Sequence, residues 1–168
     1  MSHQQHERAA SAVLVRFAVL TLSDTRTPET DESGKAIRNL ITDAGHEVVS
    51  QKLIPDDVSA LARTFAGWLA DATIDAIITT GGTGISRRDQ TIRFIESIIE
   101  SPLPGFGELF RAISFHEIGA AAMLSRATAG LAKGKPIFAL PGSKNAVTLA
   151  MRELILPQAR HIVAELRK

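Results

Sequence analysis

The chain has 168 residues, 45% of them apolar and 22% charged, and a net charge of +1. This is the balance of one globular domain, without the strong positive field that general nucleic-acid or membrane affinity requires. It has no cysteine, which excludes disulfides, thiolate zinc sites and cysteine nucleophiles.

Residues 1–12 are polar and are expected to form a flexible tail, with a single domain over 13–168. They lack the apolar core of a signal peptide, and no apolar run approaches the roughly 20 residues of a membrane span, so a cytoplasmic protein is expected. The five histidines (His3, His6, His46, His116 and His161) show no metal-ligand spacing.

Val13 to Leu22 is an apolar run broken by Arg16 and reads as a first buried strand, ending in the polar loop Ser23–Pro28. Ile37, Leu40, Ile41 and Ala44 mark a helix from about Asp31, closed by Gly45. Glu47 to Ile54 is a second strand, ended by Pro55-Asp56-Asp57. Val58, Leu61, Phe65, Trp68 and Leu69 mark a second helix, and the Ile74–Ile78 run a third strand. Glycines 81, 82 and 84 follow it, and a helical pattern with Ile92, Ile95, Ile98 and Ile99 starts near Arg88.

After a turn cluster at Ser101–Gly105 a helix opens at Phe106 and runs to about Gly119. Its Phe106, Phe110, Ile113 and Phe115 suit core or subunit packing. Ser125 to Ala132 reads as an irregular edge strand in a hairpin. Pro136 to Leu140 is a further strand, ended by Pro141-Gly142-Ser143, and a helix with Val147, Ala150, Met151 and Leu154 inward follows. Pro157 suits the first turn of a last helix. Strands and helices alternating through short turns predict an α/β fold with a mostly parallel sheet.

Ligands of such sheets bind beyond the carboxyl ends of the strands, where Leu22–Thr27, Pro55–Asp57, Thr80–Asp89 and Pro141–Ala146 gather. Two of these are glycine turns leading into helix starts, the pattern of an anion cradle. Neither named nucleotide motif fits: Ser86 and Arg87 stand where a Walker loop needs Gly and Lys, and Arg87 replaces the third glycine of the dinucleotide fingerprint. Ser86-x-x-Asp89 has capping-box spacing, and Asp56 or Asp57 could cap the second helix. Capping does not explain why carboxylates border a loop built for anions. A bridging Mg²⁺, which takes one or two carboxylates plus substrate phosphates, does. Glu108 and Arg111 have ion-pair spacing, while Arg126 and Lys144 are candidate phosphate contacts.

Thr79-Thr80-Gly81-Gly82-Thr83-Gly84 with Asp89 and Thr91, Pro104 to Arg111, Ser125-Arg126-Ala127 and Leu140-Pro141-Gly142-Ser143 occur in an order that resembles the MogA/MoaB family of molybdenum cofactor biosynthesis. Ser114 to Gly119 leans towards its MoaB branch. The resemblance spans nearly everything after residue 15. It implies a three-layer α/β/α molybdopterin-binding fold, assembled as a trimer or a dimer of trimers, and contacts with other cofactor-biosynthesis proteins. It also implies an adenylyltransferase: the terminal phosphate of molybdopterin attacks the α-phosphorus of ATP with Mg²⁺ present, and pyrophosphate leaves. Molybdopterin and ATP would thus be substrates.

By position in the family's motifs, Asp56 and Asp89 are expected to be the two acidic catalytic residues and the Mg²⁺ ligands. Ser23, Asp24, Gly81, Gly82, Thr83, Gly84, Thr91, Glu108, Arg111, Ser125, Arg126, Pro141, Gly142, Ser143 and Lys144 are expected substrate and phosphate contacts. Some MoaB-branch members lack the Pro-Asp acid, whereas this chain keeps Pro55-Asp56. The alternatives are a non-catalytic molybdopterin carrier and a nucleotide pyrophosphatase of the same fold.

Overall fold

The structure, a computed structural model, describes residues 13–168, so the tail expected over residues 1–12 lies outside the described residues. Strand β1 (Arg16–Leu22) shows why the fold has three layers. Phe17 and Val19 enter one apolar core while Ala18, Leu20 and Leu22 enter another. Alternate side chains of a strand point to opposite faces, so a run apolar at every position needs cover on both sides.

The chain continues through α1 (Glu32–Asp43), β2 (Glu47–Ile54), α2 (Val58–Ala70), β3 (Ala76–Thr80) and α3 (Thr91–Ile98). It then forms β4 (Ser101–Pro102), α4 (Pro104–Ile118), a 3₁₀ segment (Gly119–Leu124), β5 (Thr128–Ala132), β6 (Lys135–Leu140), α5 (Lys144–Ala150) and α6 (Leu156–Leu166). The sheet order is β2-β1-β3-β6-β5-β4. Strands β2, β1, β3 and β6 are parallel, and β5 and β4 complete the sheet antiparallel. Helices α1, α4, α5 and α6 supply Ile37, Phe110, Val147 and Val163 to one core; α2 and α3 supply Leu61, Phe65 and Ile95 to the other. The α/β/α architecture is the expected one.

Four local expectations change. Helix α3 starts at Thr91, not near Arg88, because residues 85–90 leave the glycine turn as a loop and the Thr91 N–H returns to the Gly82 carbonyl at 3.1 Å. Within the expected turn cluster, Ser101 and Pro102 pair with Leu131 and Gly130 as an edge strand, where a proline is tolerated. Helix α4 accordingly begins at Pro104 rather than Phe106. Finally, Pro157 does sit in the first turn of the last helix, as expected, but α5 runs into α6 without a break, through a π turn over Met151–Ile155. The wider turn accommodates the missing proline N–H without breaking the rod.

Phe106 and Phe110 belong to the core, Phe106 meeting Phe138 edge-on with ring centres 5.3 Å apart. Phe115, Ile118, Met123 and Leu124 are exposed.

Candidate functional site

Strand order reverses direction about the β1/β3 pair, and ligand crevices of open parallel sheets lie at such switch points. Gly81 sits there with φ +97°, and a Cβ on it would stand 2.2 Å from the Leu22 carbonyl oxygen. Only glycine fits between the ends of the two strands. The Gly81 N–H donates to Leu140 O at 3.1 Å, the Thr80 hydroxyl to Pro141 O at 2.8 Å, and Thr83 and Thr91 are buried beneath the turn. The glycine turn is thereby fixed to the ends of both β1 and β6.

Two aspartates flank it. A Cβ on Gly82 would lie 2.9 Å from Asp56 Oδ1, and one on Gly84 2.7 Å from Asp89 Oδ2. The capping question resolves differently for each. Asp57 caps α2, accepting from the Ala60 N–H, which leaves Asp56 free of that duty. Asp89 closes its own loop, accepting from the Ser86 N–H at 2.9 Å and the Ser86 hydroxyl at 2.5 Å, while α3 has no side-chain cap.

Asp56 Oδ1 is buried and has no hydrogen-bond partner among the described residues. Burial raises its pKa, and the neighbouring Asp24 and Asp89 charges add to the effect against the opposing pull of Arg88. Asp89 is shifted down, chiefly by the Ser86 hydroxyl. An orphaned, crowded carboxylate oxygen beside a phosphate-type loop suits a divalent cation. Among the described residues no three His, Cys, Asp or Glu side chains converge as a metal site.

The remaining expected contacts divide by location. Asp24 braces the site, taking the Asp56 N–H at 3.0 Å on one oxygen and Arg88 on the other. The Ser23 hydroxyl closes its own turn, accepting from the Arg26 N–H at 3.1 Å. Arg126 reaches across to the Gly84 carbonyl at 2.9 Å, while its neighbour Ser125 closes the 3₁₀ segment with its N–H on the Ala122 carbonyl. Ser143 caps α5 through the Ala146 N–H, and Lys144 stands 3.5 Å from Glu32 on α1. Arg111 donates to the Ala127 carbonyl at 3.4 Å rather than pairing with Glu108, which is exposed.

Residues 18–161 match a family profile described as "Probable molybdopterin binding domain". The chain belongs to that family. Its relatives place it in the MoaB branch: it is 46% identical over 169 residues to molybdenum cofactor biosynthesis protein B of Bacillus subtilis, with 100% of this chain and 99% of that protein aligned. A similarly named protein of Staphylococcus carnosus is 42% identical over 171 residues, covering 100% of both chains. A crystal structure of a molybdenum cofactor biosynthesis protein B superposes with a TM-score of 0.90 at 44% identity, over 92% of this chain and 97% of that one. The tungsten cofactor synthesizing protein MoaB of Pyrococcus furiosus gives 0.81 at 38% identity, over 92% and 98%. Membership assigns this MoaB-branch chain to molybdenum cofactor biosynthesis. Among its described residues no helix is long and apolar enough to cross a membrane.

Two groups near the crevice escaped sequence reasoning. Arg88, which the sequence marks only as the neighbourhood of a helix start, pairs with Asp24. Arg26, Asp31 and Ser33 looked like a loop running into a helix, but they form a largely buried network that contacts the β6 loop. The only available signal was Asp31-x-Ser33-Gly34 at the helix start, which capping explains equally well.

Proposed function

We propose that this MoaB-branch protein adenylylates molybdopterin with ATP and Mg²⁺, releasing pyrophosphate. The observation that carries the reading is the pair of aspartates set against Gly82 and Gly84, with Asp56 Oδ1 buried and unpartnered among the described residues. Carboxylates repel a phosphate chain, so their placement beside a phosphate-type loop makes sense when a cation joins the two.

Asp56 and Asp89 are the residues that would hold Mg²⁺, and the bound ion would supply charge neutralisation on the phosphates. The backbone turn Gly81–Gly84 would receive phosphate oxygens closely, because three of its four residues carry no side chain and Thr83 is buried. Arg126 holds that turn through the Gly84 carbonyl, and Asp24 fixes the Asp56 backbone. Phosphoryl-type transfer relies mainly on positioning and electrostatic stabilisation, so a site without a covalent nucleophile is adequate. In the overall step a molybdopterin phosphate oxygen bonds to the α-phosphorus of ATP while the bond to the β-phosphate bridge breaks.

The test is pyrophosphate release from ATP with Mg²⁺, with and without molybdopterin. Release only when molybdopterin is present supports the transferase. Release without it would favour a nucleotide pyrophosphatase, and molybdopterin binding with no release would favour a carrier.

A further inference from the structure

We infer that Arg26 is a positioning residue for this ligand site: it sets the Gly142–Ser143 peptide beside the phosphate-type turn, and a phosphate-bearing ligand binds well only when it does. The inference rests on the ligand-binding part of the reading above and not on its chemistry.

The Arg26 guanidinium is 116 residues from Gly142 in sequence, yet its Nη2 donates to the Gly142 carbonyl at 2.7 Å. Its other terminal nitrogen, Nη1, donates to Ser33 Oγ at 2.5 Å and stands 3.6 Å from Asp31 Oδ1. Asp31 is only 4% exposed and already well supplied with neutral donors. Thr21 Oγ1 donates to it at 2.6 Å, the Gly34 N–H at 3.0 Å, and Ser33 Oγ lies 3.3 Å away. Gly34 packs against this carboxylate, since a Cβ on it would lie 2.1 Å from Asp31 Oδ2. The guanidinium is therefore set in one orientation, with its planar fork spanning Ser33 and Gly142. Three partners already occupy this guanidinium. It acts through the backbone it holds.

That backbone is constrained at three successive carbonyls. Leu140 O takes the Gly81 N–H, Pro141 O takes the Thr80 hydroxyl, and Gly142 O takes Arg26. In a planar trans peptide the N–H points opposite the carbonyl, so Arg26 also fixes where the Ser143 N–H points. The peptide lies against the turn itself: a Cβ on Gly142 would be 3.4 Å from Gly81 Cα.

The test uses full-length protein and measures the dissociation constants of molybdopterin and of ATP with Mg²⁺ by calorimetry, alongside the melting temperature. Arg26→Gln should weaken binding of at least one of these ligands roughly tenfold or more, the effect of losing a charge-assisted hydrogen bond, and should also lower the melting temperature, because the buried Asp31 loses its cation. Arg26→Lys keeps the charge beside Asp31 and is the better-folded control. Its single ammonium cannot span both partners, so it should recover only part of the loss. Affinities within twofold of wild type in Arg26→Lys, or in a folded Arg26→Gln, would overturn the inference. Binding is read separately from turnover. A wild-type protein that binds molybdopterin without releasing pyrophosphate would sink the transferase reading and leave Arg26 to be judged on affinity alone.

Discussion

Gly82 has no room for a side chain between its own turn and Asp56: a Cβ there would come within 2.9 Å of Asp56 Oδ1 and 2.3 Å of Thr91 Oγ1. Its φ of +62° adds backbone strain for any other residue. Gly82→Ala should therefore lower stability by roughly 1–3 kcal/mol, a drop of several degrees by differential scanning calorimetry. Because the contact is with Asp56, ligand binding should fall as well. An unchanged melting temperature would show that the turn relaxes more easily than its packing implies.

Asp56→Asn and Asp89→Asn separate catalysis from folding. Asp56 is a crowded, partly buried charge whose pKa is raised by burial and by Asp24 and Asp89, so removing the charge should leave stability unchanged or improve it. Asp89→Asn retains an oxygen for the Ser86 donors and should cost about 1 kcal/mol or less. Both should reduce molybdopterin adenylylation by about 100-fold or more. Normal rates at saturating substrates in either variant would remove that residue from the catalytic assignment.

Acid sensitivity should arise at the opposite end of the sheet. Burial pushes Asp75 up, but hydrogen bonds from Arg16 and Arg167 outweigh it and hold the carboxyl at about 2 instead of 3.8. Its folded value lies below its unfolded one, so its stabilisation is present above about 3.8 and is lost as pH falls towards 2. That loss should be roughly 2 kcal/mol, and Asp75→Asn should flatten this part of the stability curve.

His46 should act earlier in an acid titration. Burial lowers its pKa from 6.5, with Arg160 adding to the effect, and neutral Nδ1 accepts the Val15 N–H at 3.3 Å. The unfolded chain takes up this proton first, so stability is full above 6.5 and declines as pH falls below it. Denaturation curves of His46→Phe between pH 7 and pH 5 should lack that slope.

Self-association should use the exposed apolar end of α4. Phe115 and Ile118 are three residues apart on one helix face, and Met123, 79% exposed, and Leu124 follow in the next segment. We propose that a second copy of the chain covers them in a trimer or dimer of trimers. Phe115→Asp should shift sedimentation towards the monomer, whereas a wild-type monomer at micromolar concentration would rule the proposal out.

Local chemistry wrote much of this protein into its sequence. The apolar runs of β1 and β3 demanded cover on both faces, the helical stripe of Ile37 and Ile41 marked α1, and glycines announced the turns at the strand ends. These signals depend on neighbours a few residues away, which is why they can be read along the chain. The spacing of Asp56 and Asp57 could not tell which one caps α2. That was decided by Asp24 and Gly82, which approach Asp56 from the loops after β1 and β3 and leave Asp57 to meet Ala60. Likewise Phe106 and Phe115 look alike in sequence, yet Phe138 on β6 takes the first into the core, while the second stays 58% exposed among the described residues. The link from Arg26 to Gly142 joins residues 116 apart. Side-chain type fixed what each group could bond to; only the folded sheet, by bringing the ends of β1, β3 and β6 together, decided which partner came within reach.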